Sequence, residues 1–285
     1  MGRFLSLLKR ALRRSFEHDL FGIAKAAAYS GIITLFPAML VLAAILAASN
    51  QHDLLISLVT RALWHIMPAG TANAVVSYFT STQDRPIPLL VTTSLATLWT
   101  ASGMMVSCME GFRQAYGLPR VWGVVHERLI AIYLVLLSFI PMTFATGLVA
   151  FGTQTERWIF VRAPGMFHVY ILLAFVGVRW LISAATSVAV LTIIYHYAVP
   201  RTQPWHTVLP GASLVTVVWF VATLGFGYYL QHVSEYSLVY GSVGVSIALM
   251  IWMYIVSLIV LFGAEFNALI FPRAVVQMRR DARNA

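Results

Sequence analysis

The sequence predicts an all-α polytopic membrane protein, and three observations support that fold class. Of the 285 residues, 60% are hydrophobic and only 10% are charged, whereas a soluble domain carries about 25% charged residues. Six apolar stretches are each long enough to cross the hydrocarbon core of a bilayer as a helix, which takes about 20 residues. The basic residues gather between these stretches and at both ends of the chain. Runs of this length do not fit the alternating strands of a membrane barrel, so we expect helices.

The apolar stretches predict six spans, at residues 29–49, 89–109, 129–151, 181–199, 208–230 and 240–271. The first stretch ends in Ala47-Ala48-Ser49, but it is too long for a signal peptide and follows a basic lead, so we expect it to be an uncleaved span. Pro37 and Pro141 lie inside the first and third spans, where a proline removes a backbone N–H and kinks the helix.

The distribution of Lys and Arg predicts the orientation of the spans. The N-terminus through Lys25, the second and fourth loops and the C-terminal tail together hold fourteen basic residues, and the other loops hold four. Cytoplasmic loops carry the excess of positive charge in membrane proteins. We therefore expect both termini in the cytoplasm, with residues 1–24 as a basic amphipathic segment, 25–272 as the six-helix domain and 273–285 as a basic tail.

Two segments have the pattern of interfacial helices. Residues 3–21 place apolar side chains at helical spacing with Lys and Arg between them, which predicts a helix in the membrane plane whose basic face meets anionic headgroups. Residues 54–79, on the predicted outer side, have a similar apolar spacing before Pro68 and predict a helix on or in the outer leaflet. We therefore expect membrane lipids as partners, with anionic phospholipid at the cytoplasmic face.

Glu265 is the first candidate for a functional residue, because hydrocarbon rarely accepts a carboxylate without a reason. One interpretation is a carboxylate that couples transport to a proton or another ion, with Asn267 beside it. The alternative is a structural ion pair, for which Lys25 is the obvious partner because it lies at the cytoplasmic mouth of the first span. Gly263 and Ala264 predict a close approach of a neighbouring helix at this point.

Three further polar residues are candidates for contacts with a substrate or an ion. Arg179 either extends to the outer interface beside Trp180 or faces inward as an anion site. Tyr29 and Tyr240 either line a cavity or act as packing and interface anchors. We interpret the Gly225-x-Gly227 pair as a helix-packing contact.

No cofactor or metal site is predicted. Cys108 is the single cysteine, and the eight histidines are scattered without an HExxH or HxH pair. A nuclease would need converging acids or paired histidines, whereas His18-Asp19 and His126-Glu127 stand alone in the sequence. We expect neither enzymatic activity nor nucleic-acid binding.

Several short strings, in this order and spacing, resemble the YihY/BrkB family of bacterial inner-membrane proteins: Ala26-Ala27-Ala28-Tyr29, Leu35-Phe36-Pro37, Leu98-Trp99-Thr100-Ala101-Ser102, Pro204-Trp205, Leu209-Pro210-Gly211-Ala212, Tyr240-Gly241, Trp252-Met253-Tyr254 and Gly263-Ala264-Glu265. The resemblance covers roughly residues 20–272 and implies six membrane helices with cytoplasmic termini in the bacterial inner membrane. Family members have carried the label ribonuclease BN and a label for a serum-resistance virulence factor, and others are connected with envelope lipids.

Two functions from different classes follow from these observations. The first is a transporter or translocator of lipid or another envelope component, based on Glu265, the proline-containing spans and the basic cytoplasmic segments. The second is a structural or adaptor protein of envelope biogenesis without transport activity, based on the absence of a recognisable binding motif. A second copy of the chain or another envelope protein stays open as a partner.

Overall fold

A computed structural model of the chain describes residues 2–47, 87–162, 168–200, 203–232, 235–272 and 276. Every regular element in these ranges is a helix. The seven helices are α1 (Gly2–Glu17), α2 (Leu20–Ala47), α3 (Ile87–Tyr116), α4 (Val124–Arg162), α5 (His168–Tyr197), α6 (Trp205–His232) and α7 (Glu235–Ile270). The all-α prediction is confirmed, and the predicted helix at 54–79 lies outside the described residues.

Five stretches within these helices are long and apolar enough to cross a bilayer, counted over the described residues. They are Leu20–Val41, Val124–Phe144, Leu173–Tyr197, Trp205–Tyr229 and Ser246–Ile270. A helix satisfies all its backbone hydrogen bonds internally, which is what the hydrocarbon core requires. Large apolar side chains also point outward from these helices, for example Phe139 and Ile140 on α4 and Leu224 on α6. Such an outward apolar surface is suited to lipid.

The predicted second span coincides with α3, which is not one of the five apolar stretches. Many of the side chains of α3 carry hydroxyl groups. These hydroxyls bond to carbonyls of their own helix: Thr97 Oγ1 donates to Thr93 O at 2.7 Å and Ser102 Oγ to Trp99 O at 2.7 Å. A hydroxyl satisfied in this way can enter an apolar environment at reduced cost.

The predicted amphipathic helix is present as α1, but it ends at Glu17 and not at residue 21. Asp19 adopts a left-handed backbone conformation with φ of 47°. Its side chain caps the first turn of the next helix, because the backbone N–H of Gly22 donates to Asp19 Oδ1 at 3.3 Å. Asp19 is therefore the N-cap of α2, and it separates α1 from the first candidate span.

Replacing Asp19 with alanine is expected to lower the free energy of unfolding by roughly 1 kcal/mol, because the cap is lost. Alanine also tolerates the left-handed conformation less well than aspartate. Asp19→Asn keeps both the capping oxygen and the conformational tolerance and serves as the control. Thermal unfolding of the purified variants in detergent checks the prediction. Equal midpoints for Asp19→Ala and the wild type would contradict a capping role.

Prolines lie inside three of the helices. Pro37 is in α2 and Pro141 is in α4, as the predicted spans required, and Pro210 is in α6. In each case the helix continues past the proline. Kinking at Pro37 and Pro141 stays a prediction.

The chain divides into two compact units. The first unit contains Met1–Arg14, Phe112–Val218 and Phe262–Ala285, and the second contains Ser15–Gly111 and Trp219–Leu261. In the second unit, Phe226 and Trp252 stack with ring centroids 5.0 Å apart. The first unit includes the long hairpin of α4 and α5. Tyr116, Gln203, Thr207, Glu265 and Asn267 all belong to the first unit.

Candidate functional site

Four helix ends meet in the first unit. The last turn of α3 contacts the last turns of α5, since the rings of Phe112 and Tyr195 pack edge to face with centroids 5.1 Å apart. Near the end of α7, the α-carbon of Gly263 faces the Tyr195 hydroxyl and Val215 of α6. Phe112 and Tyr195 are fully buried. The C-terminal ends of α3, α5 and α7 thus lie beside the N-terminal half of α6.

The side chain of Asn267 joins α7 to α6 at a proline. The backbone N–H of Gly211 donates to Asn267 Oδ1 at 2.7 Å, and Asn267 Nδ2 donates to the Val208 carbonyl at 3.1 Å. These two backbone groups lie on either side of Pro210, which has no N–H and whose ring displaces the neighbouring helix backbone. Asn267 is buried. It therefore supplies one acceptor and one donor where the proline disturbs the helix.

Two glycines allow α6 and α7 to approach this closely. A side-chain carbon added to Gly211 would meet the backbone carbonyl of Gly263 and the amide of Asn267. A carbon added to Gly263 would meet Tyr195 and Val215. The predicted close approach at Gly263 is confirmed. No described atom would lie within 4 Å of a carbon added to Gly225 or Gly227, so the described residues do not support the packing interpretation of that pair.

Glu265 lies between Gly263 and Asn267 on α7, and none of its surface is exposed. Its carboxylate is close enough to the phenol of Tyr116 to affect that group electrostatically. Burial raises the pKa of Tyr116 to about 12, the neighbouring Gln203 and Asn267 side chains lower it, and the negative charge of Glu265 raises it. Tyr116 therefore keeps its proton at neutral pH, and its hydroxyl can donate a hydrogen bond.

Gln203 and Thr207 complete what we call the polar cluster, which consists of Tyr116, Gln203, Thr207, Glu265 and Asn267. Thr207 Oγ1 donates to the Pro204 carbonyl at 2.7 Å, and a longer contact of 3.5 Å joins it to Gln203 Oε1. All five side chains are buried. The cluster contains one carboxylate, two amides and two hydroxyls, which is a set that can hold a proton or contact a polar headgroup.

The structure brings together two of the six predicted site residues, Glu265 and Asn267. Lys25 and Tyr29 are exposed on α2, with 65% of Tyr29 exposed. Glu265 is fully buried while Lys25 is exposed, and their pairing stays a prediction. The exposure of Tyr29 agrees with the anchoring alternative rather than with a cavity lining. Tyr240 belongs to α7, but its side chain lies outside the described residues.

Arg179 is covered by protein, with 7% of its surface exposed, whereas 44% of the neighbouring Trp180 is exposed. It lies within the candidate span Leu173–Tyr197 and not at its edge. The burial of Arg179 corresponds to the inward-facing alternative. Its role as an anion site stays a prediction. Trp180 alone has the exposure expected of an interface anchor.

Four residues of the site region were not predicted from the sequence: Tyr116, Gln203, Thr207 and Pro210. Tyr116 and Gln203 stand at helix ends where no periodic pattern marks them. A usable signal was the Pro210-Gly211 pair early in a span, since such a pair exposes backbone groups that a partner must satisfy. A second feature there is the stack of the buried His196 on the half-exposed Trp205, with centroids 4.0 Å apart and planes within 10°.

The residues considered for nuclease chemistry lie in separate contacts. Arg120 Nη2 pairs with Glu127 Oε2 at 2.7 Å, and His126 contacts the ring of Trp122 at 5.8 Å. Asp19 caps α2. Within the described residues, no three His, Cys, Asp or Glu side chains are grouped so that they could hold a metal ion.

Comparison with known proteins identifies the family. The family model described as "Virulence factor BrkB" matches residues 11–285. The chain is 30% identical over 277 residues to the "Putative ribonuclease-like protein YfkH" of Bacillus subtilis, covering 94% of this chain and 96% of that one. It is also 24% identical over 266 residues to a "UPF0761 membrane protein" of a Janthinobacterium species, covering 92% of this chain and 59% of that relative.

A third relative, a "UPF0761 membrane protein" of Tolumonas auensis, is 30% identical over 141 residues, which is 49% of this chain and 44% of the relative. No solved structure matches the chain. The family match covers nearly the whole sequence, and the relatives named as membrane proteins agree with the apolar helices described above. The chain is an integral, multi-pass membrane protein, and it belongs to the BrkB family.

Proposed function

We propose that the protein is a translocator of lipid or another envelope component in the bacterial inner membrane, with Glu265 as its coupling carboxylate. The observation that carries the proposal is a fully buried carboxylate inside the candidate span Ser246–Ile270, near the phenol of Tyr116. Ionisable groups inside membrane spans commonly mark substrate or ion pathways. Protonation of Glu265 would change the charge of the polar cluster and with it the preference of the cluster for a polar ligand.

We also infer six spans, with both termini in the cytoplasm. They are the five long apolar stretches together with α3. Two observations support this topology. The hydroxyls of α3 bond to its own backbone, which lowers the free-energy cost of placing this helix across the membrane. The ends of α3, α5 and α7 lie beside the beginning of α6, as alternating spans require. The polar cluster would then lie near the cytoplasmic surface, where basic loops gather anionic headgroups.

The test is translocation of headgroup-labelled phospholipid in proteoliposomes that contain the full-length chain. Wild-type protein is expected to move the label faster than protein-free vesicles. Glu265→Gln keeps the size of the side chain and removes its charge, so we expect movement to fall to the protein-free level. Glu17→Gln removes a carboxylate from the exposed end of α1 and is expected to keep wild-type movement. Size-exclusion profiles and circular dichroism establish that each variant is folded.

Two outcomes would count against the proposal. Movement in Glu265→Gln at the wild-type rate would show that the carboxylate is structural. No movement of lipid by folded wild-type protein would favour the alternative function, a structural or adaptor protein of the envelope. Partners that co-purify with the chain would then be identified.

We also propose that the chain is not an enzyme, although one relative is named ribonuclease-like. The separate contacts of His126 and Glu127 support this, because RNA cleavage requires such groups to converge on one reacting atom. Purified protein incubated with RNA is expected to leave it intact. Cleavage that disappears in His126→Ala would refute this proposal.

A further inference from the structure

We propose that α1 is a preformed docking helix that lies in the surface of the bilayer and binds anionic phospholipid. The inference does not depend on translocation, because it concerns a different surface of the molecule. It rests on the division of α1 into three faces, on the position of the helix next to a membrane span, and on charge complementarity with the lipid.

The first face is apolar and exposed. Leu5, Leu12 and Phe16 are spaced by seven and four residues, which places them within about 40° of one another around a helix with 3.6 residues per turn. Their side chains are 53%, 51% and 66% exposed. Three large apolar side chains in one strip are costly to leave in water, whereas an interfacial helix buries such a strip among the acyl chains below the headgroups.

The second face fixes α1 to the protein. Ala11 and Ser15 lie four residues apart on one side of the strip, and both are fully covered. Because this face is already packed, α1 does not need the membrane in order to fold. The apolar strip is therefore presented in one orientation, which reduces the entropy lost on docking.

The third face is basic. Lys9, Arg10 and Arg13 lie on the opposite side of the apolar strip from Ala11, and all three side chains are exposed. The order around the helix is thus packed face, apolar strip, basic face. With the apolar strip in the acyl region, the basic side chains reach the level of the phosphates, where each contributes attraction to anionic lipid.

A short turn connects α1 to a candidate span in the sequence. Only His18 and Asp19 separate Glu17 from the candidate span Leu20–Val41. The rings of Phe16 and Phe21 stack across this turn with centroids 4.4 Å apart, so the apolar strip continues into α2. A basic helix in this position favours lipid over RNA, because an RNA complex would leave Leu5 and Leu12 in water.

The depth of α1 can be measured by spin labelling, since Cys108 is the single cysteine of the chain. In a Cys108→Ala background, Leu12→Cys carries a nitroxide on the apolar strip and Glu17→Cys carries one away from it. The protein is reconstituted in phosphatidylcholine vesicles with and without phosphatidylglycerol. In vesicles with phosphatidylglycerol, we expect the Leu12 label to be accessible to oxygen and shielded from a water-soluble nickel complex, and the Glu17 label to show the reverse.

Lipid preference is measured on the same full-length protein with spin-labelled phosphatidylglycerol and phosphatidylcholine. The double variant Lys9→Gln with Arg10→Gln is expected to lower the preference for phosphatidylglycerol by at most about fivefold for each charge removed. The charge-preserving pair Lys9→Arg with Arg10→Lys is the control and is expected to keep the wild-type preference.

Three results would overturn the proposal. The Leu12 label could be as accessible to nickel as the Glu17 label, which would place the apolar strip in water. The double Gln variant could keep the full preference for phosphatidylglycerol, which would remove the basic face from lipid recognition. The chain could bind RNA through Lys9 and Arg10 without any lipid preference, which would assign the basic face to nucleic acid.

Discussion

Gly211→Ala is expected to lower the free energy of unfolding by roughly 3 kcal/mol, at the upper end of what overpacking costs in a close-packed interior. The new methyl group would meet the carbonyl oxygen of Gly263, which is backbone and cannot move aside as a flexible side chain does. The helices α6 and α7 would have to separate. Such a separation would also stretch both hydrogen bonds between Asn267 and α6.

The matched control is Gly225→Ala on the same helix, where the added carbon meets nothing within 4 Å. Since alanine is the better helix former, the control is expected to leave stability unchanged or to raise it by up to about 1 kcal/mol. Unfolding by sodium dodecyl sulfate in mixed micelles measures both variants. Equal stabilities would show that the contact between Gly211 and Gly263 is not tight.

Asn267→Leu is expected to cost about 2–4 kcal/mol, because it keeps the branched shape of the side chain but removes both of its hydrogen bonds. The N–H of Gly211 and the carbonyl of Val208 would lose the partners that the amide provides. Each buried backbone group left unsatisfied costs roughly 1–3 kcal/mol. The proline between them prevents α6 from absorbing the change by closing into a regular helix.

Ser213→Ala provides the comparison for Asn267→Leu. The Ser213 hydroxyl is exposed and donates only to the carbonyl of Leu209 in its own helix, at 3.0 Å. Its removal is expected to change stability by less than about 0.5 kcal/mol, as is usual for surface substitutions. A loss in Asn267→Leu no larger than that in Ser213→Ala would mean that water or another group replaces the amide.

The helices follow from local properties of the sequence, and most of them are predicted correctly. Apolar runs of sufficient length must form helices in a bilayer whatever surrounds them, which is why five predicted spans coincide with long apolar helices. The predicted span over α3 contains several threonines and serines in place of larger hydrocarbon side chains. The end of α1 differs from the prediction because one residue, Asp19, leaves the helical conformation to cap α2.

The polar cluster follows from the sequence only in part. Glu265 is detectable because a single charge in an apolar run is conspicuous. Its neighbours are not, since Asn267 meets Gly211 across 56 positions of sequence and no local pattern encodes that meeting. Spacing also fails to show which face of a helix meets another helix. Gly225 and Gly263 were both interpreted as helix contacts, and among the described residues a close contact is found only at Gly263.

The amide bridge across Pro210 also restricts how the sequence can change over evolutionary time. An ancestor that lost Asn267 while keeping the proline would have lost both amide hydrogen bonds beside a helix position that has no N–H, and one that lost the proline first would have restored that N–H. The order of substitution therefore matters. The two positions should be inherited together in descendants of this chain, and an exchange at residue 267 should be found where the proline at 210 has already been replaced.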